Sequence, residues 1–426
     1  MSAKQVILTS TLNSTYWSVN VQDLLTGTQI TSFKETIACG YNSLACLFDQ
    51  YLICSQKDSS VVHLWSLRKK SIVRTRMKCP ANVTALTVTP DGMFIILALG
   101  EKIYIYMTSS GQLCSILERH YQPITVIRMS KCGSFFISGG EDGLVLLWML
   151  NCILSTGFHD QQIGSTNSPD LNPKHTWSHH NGRVTDIHCG YTGIRGKSCS
   201  VSIDSTCKIY DNYSGNLLIS ISFDEPLWSV AMDPGQSFLF VGGEKGNIYE
   251  TKLYDEKQII NDLNRPQPTV LTAHSSKVTH LAISIDGLAL ISGGYDGKVI
   301  VWHTISKQRM KTFENRGAIT NLIVMPTPRG ILEEETPLIP VKSFKLTNDP
   351  DLDAFDRDLI HTINDQCIPD EDEIENNQQN VININQLEAN DEEPESNPDD
   401  IEKIKTINQQ IYEYSVNTIF KQLINK

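Results

Sequence analysis

Up to Pro326, apolar residues fall in runs of four or five, often β-branched and closed by an aromatic. Ile95–Leu99, Ile103-Tyr104-Ile105-Tyr106, Val145-Leu146-Leu147-Trp148 and Val299-Ile300-Val301-Trp302 are the clearest. Such runs are short for helices and their residue types suit a pleated, packed surface. Turn-forming pairs stand beside them, among them Asp91-Gly92, Asp142-Gly143 and Asp296-Gly297, which predict tight connections between antiparallel strands. After Pro326 the rhythm stops. Residues 349–400 are rich in Asp, Glu and Asn and poor in aromatics, a composition that cannot bury a core and predicts disorder. From Ile401 a third pattern begins: Ile404, Ile407, Ile411, Tyr414 and Thr418 follow 3-4-3-4 spacing, with Phe420 near the end. That is one stripe of an amphipathic helix. A single helix of about 25 residues is marginal alone, so it is expected to cover itself against a second copy, a partner's groove or the preceding domain.

Two of the strand-turn-strand segments are nearly the same sentence. Ser138-Gly139-Gly140-Glu141-Asp142-Gly143-Leu144-Val145-Leu146-Leu147-Trp148 recurs as Ser292-Gly293-Gly294-Tyr295-Asp296-Gly297-Lys298-Val299-Ile300-Val301-Trp302. His120 and His274 each precede their tryptophan by 28 residues. A fixed offset between His, Ser, Asp and Trp is what a repeated four-stranded unit requires, and this spacing is that of a WD-repeat propeller blade. A degenerate copy runs from His180 through Ser200 and Asp204 to Tyr210, with Tyr in the Trp position. Ser55 to Trp65 aligns without gaps, and Val83–Tyr106 and Trp228–Tyr249 are weaker copies. These predict blades over 39–73, 82–117, 120–154, 179–221, 226–258 and 274–313.

The ends supply a seventh unit. Strands at Val6–Ser10, Trp17–Val21 and Thr28–Phe33 would join a lone strand at Ile319–Met325, closing the ring and removing its free edges. A different closure would change the count by one. The predicted organisation is therefore an all-β, seven-bladed WD-repeat propeller over 1–330, an acidic Asn-rich linker over 331–400 and a C-terminal helix over 401–426. Residues 151–177 and 252–272 interrupt the rhythm as polar loops between blades, either partner-contact loops or unstructured connectors.

Composition divides the chain the same way. Of 36 basic and 48 acidic residues, 7 and 23 lie in residues 331–426, leaving 29 and 25 in the first 330. The net charge of −12 thus averages a tail of −16 and a body of +4. So small a positive balance argues only weakly for nucleic-acid contact. Eleven cysteines are scattered with no C-x-x-C pair, which reads as reduced, buried thiols of an intracellular protein. Residues 1–12 lack the apolar core of a secretory signal, and no run nears the roughly 20 apolar residues that span a bilayer.

The His–Ser–Asp sets invite a hydrolase reading, but a catalytic triad would not be copied at constant offset. A buried chain from Asp142 through His120 and Ser138 to the Trp148 indole, and its copy from Asp296 through His274 and Ser292 to Trp302, are the expected structures. Gly190–Ser198 approximates a phosphate-binding loop, yet its spacing is off by one and a strand pattern follows where a helix is needed. His175, His179, His180, His188 and Cys189 are close in sequence, but His180 is already assigned and His188 falls in a strand, so no zinc set converges. No catalytic, cofactor or metal residues are therefore expected.

Three segments narrow the class further. Arg119-His120-Tyr121-Gln122, Phe136-Ile137-Ser138-Gly139-Gly140 and Trp177-Ser178-His179-His180, together with the stretch from Asn408 to Ser415, resemble the WD-repeat subunit of the rixosome, a nuclear complex that matures the large ribosomal subunit. The resemblance implies a non-catalytic scaffold in the nucleolus and nucleoplasm, serving the processing of internal transcribed spacer RNA. It implies a helical-repeat scaffold subunit, other rixosome subunits, pre-ribosomal particles and a midasin-type ATPase as partners, with links to DNA replication and chromatin. Self-association through 401–426 is a further expectation. The alternative is a substrate-receptor propeller of a ubiquitin ligase, although no adaptor-docking element is evident.

Overall fold

The computed structural model describes residues 5–12, 19–33, 38–68, 71–73, 77–159, 171–253, 269–332, 339 and 341–345. They form seven antiparallel sheets arranged as the blades of a propeller. Blade one is a composite: its innermost strand is Ile319–Pro326, followed outward by Gln5–Thr11, Val19–Asp23 and Gln29–Phe33. Leu8 lies opposite Ile323 and Thr9 opposite Leu322, so the two ends of the ring are held by a full strand ladder. Blades two to seven begin with innermost strands Cys39–Leu47, Val83–Val88, Ile124–Met129, Val184–Cys189, Leu227–Met232 and Val278–Ile283.

The core is divided into seven layers, one between each pair of neighbouring blades. Ile103, Ile127 and Trp148 share the layer between blades three and four. Phe240, Leu281 and Trp302 share that between six and seven, and Leu8, Leu52 and Trp65 meet between one and two. Each sheet therefore buries both faces. This is why strands such as Phe94–Leu99 read as unbroken apolar runs and not as alternation. In blades two to seven an aromatic at or near the end of the third strand packs back onto the preceding blade, and Tyr210 does so in the Trp position by stacking on Trp177 with centroids 4.2 Å apart.

The Ser-Gly-Gly of the repeat has a steric cause. A Cβ on Gly139 would lie 2.7 Å from Val184 Cγ1 of the next blade, and one on Gly140 would lie 2.5 Å from Asp142 Oδ1 and 2.8 Å from His120 Nδ1. The first glycine admits the neighbouring blade and the second leaves room for the His–Asp pair.

Three boundaries differ from the sequence reading. The insertions lie inside blades, not between them. Leu150–His159 is a helix under blade four, with Leu150 and Ile153 buried, and His175–Trp177 is that blade's outermost strand. Thr269–Thr272 is likewise the outermost strand of blade six. Polar outer strands carry little periodicity, so the inserted residues hid where each blade ended. The packed domain also continues past residue 330. Arg329–Leu332 is a short helix whose Gly330 N–H donates to Asp49 O at 2.9 Å. Farther on, the Tyr51 hydroxyl donates to Ile339 O, Lys345 N–H donates to Gly111 O, and Phe344 stacks on Tyr106 at 4.3 Å. This strap crosses blades two and three within what the composition assigned to the linker. Residues 346–400 and the predicted helix 401–426 lie outside the described residues.

Candidate functional site

In an antiparallel blade, the loop entering the innermost strand and the turn between the second and third strands lie on one face, the upper face of the ring. The His–Ser–Asp–Trp sets sit just beneath it. In blade four, His120 Nε2 pairs with Ser138 Oγ at 2.8 Å, and Trp148 Nε1 donates to the same hydroxyl at 2.9 Å. Asp142 Oδ2 lies 3.0 Å from His120 Nδ1 and accepts Tyr121 N–H, while Oδ1 accepts Leu144 N–H. One carboxylate thus ties the entering loop to the turn. Blade seven repeats this: His274 meets Ser292 at 2.9 Å and Asp296 at 3.0 Å, and Trp302 Nε1 donates to Ser292 Oγ at 3.1 Å. In blade five, His180 meets Ser200 at 2.7 Å and Asp204 at 3.3 Å.

The electrostatics follow from burial. Burial raises the Asp142 carboxyl, but the bond and charge of His120 and two backbone N–H groups outweigh it and hold the group below the usual range. Burial lowers His180 to about 4 against the opposing pull of Asp204, and lowers His274 in the same way. Ser138, Ser200 and Ser292 are fully buried. A hydroxyl that no substrate can reach is a structural bond acceptor, whatever its neighbours.

Blade six uses a substitution that the sequence reading missed. Glu225, on the entering loop and 1% exposed, accepts Lys245 N–H at 2.7 Å and the Tyr249 hydroxyl at 2.7 Å. A carboxylate from the loop does from the other side what Asp296 does from the turn. Burial, then Glu225, push Tyr249 up to about 12.

Below the upper face, the innermost strands are joined by hydroxyls. Thr125 Oγ1 donates to Val184 O, Thr185 to Leu227 O, Ser229 to Val278 O and Thr279 to Ile319 O. Each hydroxyl bridges to the next blade. The signal was present as Val/Ile-Thr at the start of five of these strands: Val83-Thr84, Ile124-Thr125, Val184-Thr185, Val278-Thr279 and Ile319-Thr320. The first and second blades are latched by Asn321, whose side chain receives Ser43 N–H at 2.8 Å and donates to Gly40 O at 2.7 Å.

A second network crosses the channel itself. The innermost strand of blade two carries a wide bulge between Cys39 and Leu44, with Asn42 at φ +51°. The bulge places Asn42 Oδ1 to accept both Arg128 Nη2 at 3.0 Å and His280 Nε2 at 3.2 Å. Arg128 also donates to Asp186 Oδ1 at 2.8 Å, and Asp186 Oδ2 accepts Val230 N–H. Five blades are bonded through these side chains. Burial, then the Arg128 charge, lower His280 to about 3; burial, then Lys131 and Arg128, lower His188 to about 3.

Above this network lies a cavity of about 480 Å³, opening on the upper face. Tyr41, Asp58, Glu141, Arg183, Trp228 and Lys277 line it, with His280 deeper. Lys277 Nζ stands 3.5 Å from the centre of the Trp228 ring.

The histidines close in sequence do not converge. His175 faces Tyr213 O, His180 belongs to the blade-five set and His188 is half-buried near Tyr191. Gly190–Ser198 passes through a 3-10 turn at Gly193–Arg195 into a strand. Among the described residues no helix is long and apolar enough to cross a membrane. Ile404, Ile407, Ile411, Tyr414 and Phe420 lie outside the described residues.

Known proteins place this geometry. The model of the WD domain, G-beta repeat, matches residues 111–149 and 265–303, the two regular blades. WD repeat-containing protein 18 of Danio rerio is 32% identical over 346 residues, covering 80% of this chain and 78% of that protein. The Homo sapiens protein of the same name is 32% identical over 332 residues, 77% and 74% of the two chains. Pre-rRNA-processing protein pro-1 of Caenorhabditis elegans is 25% identical over 284 residues, 65% and 52%. With that identity covering about four-fifths of this chain, the chain belongs to the WD repeat-containing protein 18 family.

Proposed function

We propose that this protein is a non-catalytic assembly subunit of a nuclear complex that processes pre-rRNA during maturation of the large ribosomal subunit. The observation that carries the reading is the 32% identity over four-fifths of the chain to WD repeat-containing protein 18, joined by the similarity to a protein named for pre-rRNA processing. Geometry supports the scaffold role. The groups that would look catalytic are consumed by internal bonds, and a ring bonded blade to blade presents fixed surfaces to partners. The partners in this reading are a helical-repeat scaffold subunit, other rixosome subunits, the pre-ribosomal particle and its midasin-type ATPase. The segment 401–426 supplies self-association or a partner helix.

Depletion followed by analysis of precursor rRNA tests the function, and affinity purification with crosslinking tests the company. The expected result is accumulation of spacer-containing large-subunit precursors and recovery of pre-ribosomal particles. Normal precursor ratios, with cullin adaptors as the enriched partners, would overturn it in favour of a ligase receptor. Removing 401–426 is expected to leave the propeller's melting temperature unchanged and to weaken partner recovery or oligomerisation.

A further inference from the structure

The mouth of the channel holds three features that the ring's own bonding leaves unused. Trp228 Nε1 and His280 Nδ1 are buried and have no hydrogen-bond partner among the described residues. Lys277 has no carboxylate within ion-pair distance among those residues. Its ammonium is held over Trp228, with Tyr295 5.2 Å away. The two other cations lining the cavity are matched, Lys57 by Asp58 at 3.8 Å and Arg183 by Glu141 at 3.3 Å.

The hydrogen positions on His280 follow from its neighbour. Asn42 Oδ1 can only accept, so His280 Nε2 carries the proton. With the ring lowered to about 3 by burial it is neutral, and Nδ1 is a bare acceptor. The cavity thus presents one positive charge that makes no contact ion pair, with Glu244 acting on it only at longer range, one indole N–H and one buried acceptor, within a volume suited to a side chain and its flanking backbone.

We propose that this cavity is a peptide site that takes an acidic side chain of a partner protein, its carboxylate against Lys277 and a main-chain N–H turned toward His280. A carboxylate accepts from both the ammonium and the indole, and an amide N–H satisfies the acceptor. RNA fits less well. A phosphodiester carries no N–H, and successive phosphates would fall near Asp58 and Glu141 at the same rim. The inference goes beyond the role in pre-rRNA processing and does not rest on it.

The full-length protein labelled with 15N at its tryptophans gives a direct reading, the Trp228 indole resonance being assigned by its loss in Trp228→Phe. The probes are acetyl-Gly-Ser-Glu-Ser-Gly-amide, the same peptide with Gln for Glu, and hexauridylate. The expected result is a saturable shift of the Trp228 signal with the Glu peptide and binding about tenfold weaker for the Gln peptide. Lys277→Met and Lys277→Gln should weaken the Glu peptide by a similar factor at an unchanged melting temperature, and Lys277→Arg should retain it. Equal response to both peptides, indifference to Lys277→Met, no shift at all, or preferential binding of hexauridylate would each overturn the proposal. Precursor rRNA processing can stand in every one of those cases, so the two readings fail separately.

Discussion

In blade seven the turn after the second strand is tied down by Asp296, which reaches His274, Ser275 N–H and Lys298 N–H. The equivalent turn of blade two runs Lys57-Asp58-Ser59-Ser60, and the Asp58 side chain points outward at 84% exposure. Ser55 and Trp65 keep their places in that blade, yet neither the Ser55 hydroxyl nor the Trp65 indole N–H has a partner among the described residues. Trp65 is nevertheless fully buried against Leu8, Phe33 and Leu52. Interblade packing, together with the Asn321 latch, therefore seats this blade without the His–Ser–Asp–Trp chain. The polar chain does something narrower: it fixes the loops on the upper face, and it removes the cost of unsatisfied groups. Blade six sits between the two, with Glu225 reaching down from the entering loop.

The largest expected effect is that of pH, because it strikes one class of blade and spares another. His180, His188 and His280 are lowered to about 4, 3 and 3 by burial. Below pH 6.5 the unfolded chain binds protons that the native chain refuses, so stability falls as pH drops from 6.5 toward the native values. Between pH 6.5 and 5 the loss is about 2 kcal/mol per histidine. The carboxylates of Asp142, Asp204 and Asp296, held low, are lost only at still more acid pH. Blade six contains no histidine. Hydrogen exchange at pH 5 should show blades five and seven opening ahead of blade six; simultaneous opening would mean the ring behaves as one unit and the contrast has no local content.

Glu225→Ala comes next, at roughly 3 kcal/mol, since it strands the Tyr249 hydroxyl and Lys245 N–H around a buried void. Glu225→Gln should recover about half of that in a urea titration. Asp296→Ala is expected to cost less, about 1–3 kcal/mol. Its Ser275 and Lys298 N–H partners are exposed and can turn to water, and His274 keeps its bond to Ser292. If Asp296→Ala proves costlier than Glu225→Ala, the turn-borne carboxylate is the stronger lock and the loop-borne one the weaker.

Much of this is legible in the residues alone. The offset from His274 to Trp302 marks the blade, and the apolar Ile319–Met325 segment marks the closing strand. What resisted reading were features whose chemistry is set by the third dimension. Glu225 is unexceptional in sequence and matters because the loop folds it under Gly243 toward Tyr249. Asn42 depends on a bulge that no local pattern marks. The strap from Ile339 to Lys345 was hidden by its surroundings: Val341 and Phe344 pack on the core and the Ile339 carbonyl accepts the Tyr51 hydroxyl, beside a long acidic stretch. The Val/Ile-Thr repeat is the opposite case, since it stood in the sequence and needed only the knowledge that Thr125, Thr185 and Thr279 reach the next blade, while Thr84 and Thr320 bond within their own.

The smallest effect gives the sharpest test of the contrast between blades. Ser138 Oγ is joined to both His120 Nε2 and Trp148 Nε1, so Ser138→Ala leaves two buried polar atoms unpaired and should cost about 1–3 kcal/mol. Ser55 holds the same position in blade two, but its hydroxyl makes no bond among the described residues. Removing it deletes a buried polar group that is already unsatisfied, so Ser55→Ala should change the stability read from a urea titration by no more than about 0.5 kcal/mol, or raise it. The two variants remove the same atom from the same place in the fold. Equal losses would show that Ser55 is bonded in solution, and that the second blade carries a polar chain of its own.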